Sequence, residues 1–243
     1  MTRLGTAGFL AGGAVLSTAL GFLLGIPMLF PFLGAAVAYV VFLREVNAGR
    51  YTAAFVWMLF WAVCQNAAVG TASVLQPERA AAVILTGPDY AVEMLRWVRT
   101  GVGPEGSPRL YLPVHARHFA AFCVLSAATF ASAGLVLGTY LLNYMSFYVT
   151  ELVAASAQPV PAALLGWPVW AAIRVTGFIA CAVALAPLGW NGLARFRRGM
   201  RARAVPYRLL VLGVGLVVLD AALKAVLAPV WRGWLLGFLE GSG

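Results

Sequence analysis

Charged residues are scarce in this sequence. Asp, Glu, Lys and Arg make up 10% of its 243 residues, whereas a soluble domain carries about 25%. Hydrophobic residues reach 62%, and the mean hydropathy is +0.88. Because the apolar residues fall in several long runs, lipid rather than water is the expected solvent. The composition therefore excludes an ordinary soluble globular domain.

Signatures of catalysis and of metal binding are also lacking. The three cysteines, Cys64, Cys123 and Cys181, lie inside apolar runs without metal-ligand spacing, and we interpret them as small packing residues. His115 and His118 are the only histidines, and the sequence offers no evident third ligand beside them. The sequence contains no nucleophile elbow, zinc-protease helix or phosphate loop. We therefore predict no catalytic residue, no metal and no cofactor.

Acidic residues are few, with 8 Asp and Glu against 17 Lys and Arg, and the net charge is +9. In a soluble protein this balance would suggest nucleic acid. Here the arginines lie at the ends of apolar runs, where they suit anionic lipid headgroups and set orientation. We therefore predict the lipid bilayer as the main partner and no nucleic acid. Other membrane or cytoplasmic subunits are further candidate partners.

What the chain does contain is a series of membrane-length apolar runs. Residues 4–43 carry no charge over about 40 positions, whereas one helix needs only about 20 to cross the hydrocarbon core. Gly25 and Pro27 favour a turn inside this run, which gives two passes or, alternatively, one pass with a re-entrant segment. We predict an all-α, polytopic helical membrane protein with a single domain over 1–243. Its six passes are predicted near 6–24, 28–43, 51–75, 118–145, 166–190 and 209–228.

The segments between the passes predict the orientation. Residues 76–117 read as an interfacial helix over 79–99, interrupted at Gly87, followed by a loop over 101–113. Residues 191–208 hold six arginines. With six passes both segments lie on one side, and the positive-inside rule places them in the cytoplasm of a bacterial inner membrane, with both termini outside. Pro229 is predicted to end the last pass, before an interfacial tail over 231–239.

The predicted fourth pass carries two lines of polar side chains. One line recurs at helical spacing and comprises Thr129, Ser132, Thr139, Asn143, Ser146 and Thr150. The second comprises Tyr140, Tyr144, Tyr148 and Glu151. A helix surrounded by lipid needs neither line, so we expect them to face other helices or a wet cavity. Ordinary interhelical packing of small hydroxyl residues remains an equal alternative.

Three charged residues lie inside the last two passes. Arg174 in the fifth pass and Asp220 in the sixth are predicted at a similar depth, and Lys224 follows Asp220 by one turn. An unpaired charge there costs at least about 2.5–3.5 kcal/mol. We therefore expect these three residues to cluster, with Glu151 as a second anion. A buried structural ion network is the alternative to a functional pocket.

These features predict a transport or permease-type component, or a membrane subunit of a larger complex. The candidate ligand-binding residues of its polar pocket are Arg174, Asp220, Lys224, Glu151, Asn143, Thr139 and Tyr144. A structural or assembly subunit without transport activity is the second interpretation. An intramembrane enzyme is the third, and Glu151 and the tyrosines would be its candidate residues.

Overall fold

The computed structural model describes residues 2–196 and 202–240, and within these ranges the chain is helical with no strands. Ten α-helices follow one another in the described residues, and a 3-10 turn at Pro104–Gly106 lies between the fifth and the sixth. They are α1 Arg3–Leu24, α2 Phe30–Asn47, α3 Tyr51–Leu75, α4 Pro77–Val83, α5 Gly87–Thr100, α6 Pro108–Ala128, α7 Ser132–Ala154, α8 Pro159–Leu165, α9 Val169–Phe196 and α10 Tyr207–Glu240.

Five segments of the described chain are long and apolar enough to cross a membrane, judged by length and composition. They are Arg3–Leu24, Phe30–Asn47, Tyr51–Leu75, Pro159–Arg195 and Tyr207–Glu240. This result supports a multi-pass membrane protein. It includes five of the six predicted passes and leaves out the fourth.

The predicted fourth pass over 118–145 is not one helix. α6 ends at Ala128 and α7 begins at Ser132, and Phe130 and Ala131 between them adopt positive φ angles of 55° and 69°. The two helices pack antiparallel against each other. Their contact is close at Gly134, where an added Cβ would collide with Ser126. Thr129 stabilises the turn by donating to the Leu125 carbonyl and accepting from the Ala133 amide. The predicted stripe of hydroxyl residues is therefore not continuous along one helix, since Thr129 lies in the turn before α7.

Packing contacts show that the long helices run between two ends of one bundle. We call one end the Arg203 end, since Arg203 there donates to Asn47 at 2.7 Å and the Ala204 carbonyl accepts from Tyr51 at 2.9 Å. We call the other the Trp231 end, where the Trp231 indole donates to the Leu165 carbonyl at 2.9 Å. With α6 and α7 separate, α1, α2, α3, α6, α7, α9 and α10 alternate between the ends.

The segment before α6 lies at the Trp231 end. Arg232 donates to the carbonyls of Trp97 and Arg99, both at 3.1 Å, and Tyr111 donates to the Ala221 carbonyl at 3.3 Å. Residues 76–107 therefore lie at one end of the bundle, and residues 191–196 and 202–208 of the basic segment lie at the other, although the sequence led us to expect one side. The reason is the additional helix created by the break near Phe130.

Several predicted boundaries also differ. The expected loop over 101–113 holds the 3-10 turn and the start of α6, with Pro113 inside the helix. Gly87 and Pro88 begin α5, where proline suits the first turn. Pro229 does not end α10, which continues to Glu240. Hydrogen bonds from Trp231 and Arg232 to neighbouring segments stabilise the helix beyond the proline. Of the six arginines in 191–208, Arg197, Arg198 and Arg201 lie outside the described residues.

Candidate functional site

Arg174 and Asp220 form a two-point ion pair between α9 and α10. Nε of Arg174 lies 2.8 Å from Oδ2 of Asp220, and Nη2 lies 3.0 Å from Oδ1. The two helices approach closely nearby, since a Cβ on Gly177 would lie 2.8 Å from the Gly213 carbonyl oxygen. Two glycines in contact bring the helix axes together, so the longer side chains beside them meet.

Lys224 pairs with Glu105 from the 3-10 turn. The Nζ atom lies 2.5 Å from Oε2 of Glu105 and 4.2 Å from the ring centre of Tyr111. The side chain of Lys224 is 1% exposed and that of Glu105 is 14% exposed. Gly101, at φ 74°, turns the chain after α5 so that the short segment to α6 passes over α10. The ammonium group therefore has a carboxylate and an aromatic face as neighbours.

Together these four residues form one cluster, in which two members are buried and two are partly exposed. We call it the charge cluster: Arg174, Asp220, Lys224 and Glu105. It has two cations and two anions, as expected, but the second anion is Glu105 rather than Glu151. Within the described residues Glu151 makes no ion pair. It lies near the end of α7, while Lys224 is covered by the segment that precedes α6. Pairing offsets much of the cost of placing charges inside the bundle.

The hydroxyl and amide line of α7 faces elsewhere. Thr139 donates to the Leu135 carbonyl of its own helix, and its methyl group would lie 2.9 Å from a Cβ on Gly34. Ser146 donates to Asn66 of α3 at 2.5 Å. Asn143 is 2% exposed, and its amide atoms have no hydrogen-bond partner among the described residues. This line therefore packs against α2 and α3 rather than beside the charge cluster.

The tyrosine line of α7 packs against α5. The ring of Tyr90 lies 4.7 Å from that of Tyr144 and 5.9 Å from that of Tyr148, and Tyr140 lies 5.3 Å from Tyr144. Burial raises the pKa of Tyr90 well above its usual value, so this phenol stays neutral. Of the predicted α7 residues, Tyr144 is the one that reaches the cavity described next.

A cavity of about 90 Å³ lies between α3, α6, α7 and α9. Its polar lining comprises Arg174, Tyr144, His115, His118 and the indoles of Trp61 and Trp167. A single water needs roughly 10–15 Å³ measured in this way, so several waters or a small solute would fit. A smaller cavity of about 20 Å³ has both Glu105 and Arg174 in its wall. Arg174 thus borders both spaces.

The sequence analysis did not assign four residues of this region to the pocket: Glu105, Tyr111, His115 and His118. It considered the two histidines only as metal ligands and set them aside. Glu105 lies in a segment rich in glycine and proline, where no periodic pattern marks it. The other three recur at steps of four and three, which is one face of a helix. That signal becomes visible only once α6 is known to begin at Pro108.

Within residues 2–196 and 202–240, no three His, Cys, Asp or Glu side chains are placed to hold a metal ion together. Comparison with protein-family models, with curated proteins and with solved structures finds no match for this chain. The chemistry of the site is therefore argued from its own residues.

Proposed function

We propose that this protein is a multi-pass membrane transport component whose cavity beside Arg174 receives a small anionic or zwitterionic solute. The observation that supports this most is the double role of Arg174. A guanidinium has five N–H groups, and the bonds to Asp220 use two of them. The side chain remains 24% exposed, whereas its partner is 1% exposed. N–H groups therefore remain for a carboxylate or phosphate that enters the cavity.

The lining of the cavity favours the same class of solute. Arg174, His115, His118 and Tyr144 offer hydrogen-bond donors, and the lining side chains that the structure describes include no acid. The two carboxylates of the charge cluster are engaged by its two cations. An entering anion would meet a positive group and aromatic walls in a region of low dielectric, where charge-assisted hydrogen bonds are strong.

The arginines support an orientation that differs from the one read from the sequence. At the Arg203 end lie Arg3, Arg44, Arg50, Arg195, Arg203 and Arg208, and Arg197, Arg198 and Arg201 belong to the same connection in the sequence. At the Trp231 end lie Arg79, Arg96, Arg99, Arg109 and Arg232. By the positive-inside rule the Arg203 end is cytoplasmic. The asymmetry fits a bacterial inner membrane, with the N-terminus inside and the Trp231 end outside.

A second candidate function is a structural or assembly subunit without transport activity. The burial of Asp220 and Lys224, both about 1% exposed, favours it, because closed ion pairs can fix helix packing without a ligand. The two functions differ in whether water and solute reach Arg174.

Thiol labelling distinguishes them. A cysteine-free protein carrying Tyr144→Cys or Val175→Cys, both in the cavity wall, is treated with a membrane-impermeant thiol reagent. If the protein is a transport component, the reagent should label both cysteines. At least one solute from a panel of small carboxylates, phosphates and amino acids should slow this labelling. Val183→Cys, at a fully buried position of α9, is the matched control and should not react. No labelling at either cavity position would favour the structural subunit.

Solute binding is then measured directly on the reconstituted protein. At least one member of the panel should raise Tm for the wild type and not for Arg174→Gln. If no solute does so, the transport proposal fails.

A further inference from the structure

We propose that a groove between α1 and α3 binds one anionic phospholipid, with an acyl chain along the groove and the phosphate on Arg79. The groove has a volume of about 930 Å³ and lies apart from the charge cluster. Its walls are formed by Ala11, Val15, Thr18, Ala19, Phe22 and Leu23 of α1 and by Cys64, Ala67, Ala68, Thr71, Ala72 and Leu75 of α3. Gln76 and Arg79 complete it at the Trp231 end.

The length of the groove matches one leaflet. From Ala11 to Leu23 the helix rises about 18 Å at 1.5 Å per residue. Half of a hydrocarbon core of about 30 Å is about 15 Å. The α3 wall consists mainly of small side chains, which leaves room beside the larger residues of α1. A single acyl chain would therefore lie against apolar surface from the headgroup level to the middle of the bilayer.

Arg79 is held in position at the mouth of the groove. Its Nε donates to the Phe22 carbonyl at 2.6 Å, and its Nη2 donates to the Leu23 carbonyl at 2.9 Å. These bonds fix the guanidinium at the end of α1 and leave three of its five N–H groups. The residue is exposed. A pre-positioned arginine at the headgroup level suits a phosphate, and basic pockets between membrane helices bind anionic lipids.

A second polar group lies deeper in the groove. Thr18 is 1% exposed, and its hydroxyl has no hydrogen-bond partner among the described residues. It lies five residues before Leu23, or about 7 Å further into the bilayer. The hydroxyl oxygen itself is covered, so an ester carbonyl of the phospholipid, which lies below the phosphate, can accept from it once the Thr18 side chain rotates toward the groove. A buried hydroxyl group is usually paired, which makes this one informative.

A second copy of the chain fits the groove less well. Symmetric docking through this face would place the Arg79 residues of the two copies at the same depth and close together. Like charges oppose such an approach. A phosphate has the complementary charge.

The test uses the full-length protein in detergent, with phosphatidylglycerol and phosphatidylcholine of identical chains as probes in native mass spectrometry. The wild type should retain one phosphatidylglycerol at least tenfold more tightly than phosphatidylcholine. Arg79→Gln should remove this preference, whereas Arg79→Lys should retain part of it. Ala68→Leu, which fills the groove, should weaken both lipids.

Matched controls are Arg96→Gln, an exposed arginine at the same end, and Ala36→Leu, an exposed alanine on α2. Both should bind lipid as the wild type does. The Tm of each variant without added lipid identifies a loss of fold. If Ala68→Leu unfolds, Ala67→Leu on the same wall replaces it. Equal binding of the two lipids by the wild type overturns the proposal. So does a dimer that Ala68→Leu dissociates, because the groove would then be an interface between copies.

Discussion

Both carboxylate oxygens of Asp220 accept hydrogen bonds from the guanidinium of Arg174, at 2.8 Å and 3.0 Å. The carboxylate is almost fully buried, whereas the guanidinium is not. The pair therefore fixes two helices and still leaves part of the cation toward a cavity. This asymmetry makes the roles of the two residues separable by mutation.

The first prediction concerns this pair. Arg174→Gln and Asp220→Asn each leave a charge without its partner, which costs about 3–5 kcal/mol for a buried pair. The double variant removes both charges and should recover most of that loss. Tm in detergent measures the effect. If the double variant recovers stability but still fails to bind solute, Arg174 has a function in the cavity. If the double variant recovers both stability and solute binding, that role is contradicted.

The second prediction concerns Lys224 and Glu105. Glu105→Ala leaves a lysine that is 1% exposed without its carboxylate, whereas Lys224→Met leaves a carboxylate that is 14% exposed and lies on a short connecting segment. We expect Glu105→Ala to lower Tm more than Lys224→Met, because the unpaired buried ammonium cannot reach water. Glu78→Ala, at an exposed position of α4, is the control. Equal losses in the two variants would contradict this explanation.

The third prediction tests the close approach of α9 and α10. A Cβ on Gly177 would lie 2.8 Å from the Gly213 carbonyl oxygen, so the helices must separate to accept alanine. We expect Gly177→Ala to destabilise the protein by about 1–3 kcal/mol. A Cβ on Gly215 meets nothing within 4 Å, so Gly215→Ala should leave Tm unchanged or slightly raised. Similar effects at both glycines would argue against helix contact at this point.

The fourth prediction concerns how the chain threads the membrane. In a cysteine-free background, Leu4→Cys, Glu78→Cys and Ala202→Cys introduce thiols at exposed positions. An impermeant thiol reagent added to intact cells should label Glu78→Cys, whereas the other two should react only after permeabilisation. Labelling of Leu4→Cys in intact cells, with Glu78→Cys and Ala202→Cys both protected until permeabilisation, would restore the six-pass arrangement that the sequence suggested.

Local composition was enough to predict the apolar helices, since charge depletion over about 20 residues marks a membrane-length segment. It was not enough to predict the turn at Phe130. No proline or glycine lies between Thr129 and Ser132, and the turn depends on the contact of Gly134 with Ser126 and on the bonds of Thr129. These are tertiary interactions, which a periodicity argument does not contain.

The same limit explains the charge cluster. Depth along two helices placed Arg174 and Asp220 at one level, because rise per residue is a local property. Glu105 and Lys224 are 119 positions apart. Their contact depends on the additional helix, which reverses the direction of α10 and so places Lys224 at the same end as residues 101–107. Once one helix is missed, every later connection is assigned to the wrong side, and its side chains to the wrong neighbours.

The uninterrupted length of α10 has a mechanical consequence. Its 34 residues make a rod of about 51 Å, well beyond a hydrocarbon core of about 30 Å. Asp220 and Trp231 lie about 16 Å apart along this helix, with Pro229 between them. The C-terminal turns extend past the level of Asp220, where Trp231 and Arg232 bond to the carbonyls of Leu165, Trp97 and Arg99. These bonds anchor the helix that carries the carboxylate to the segments around it at the Trp231 end.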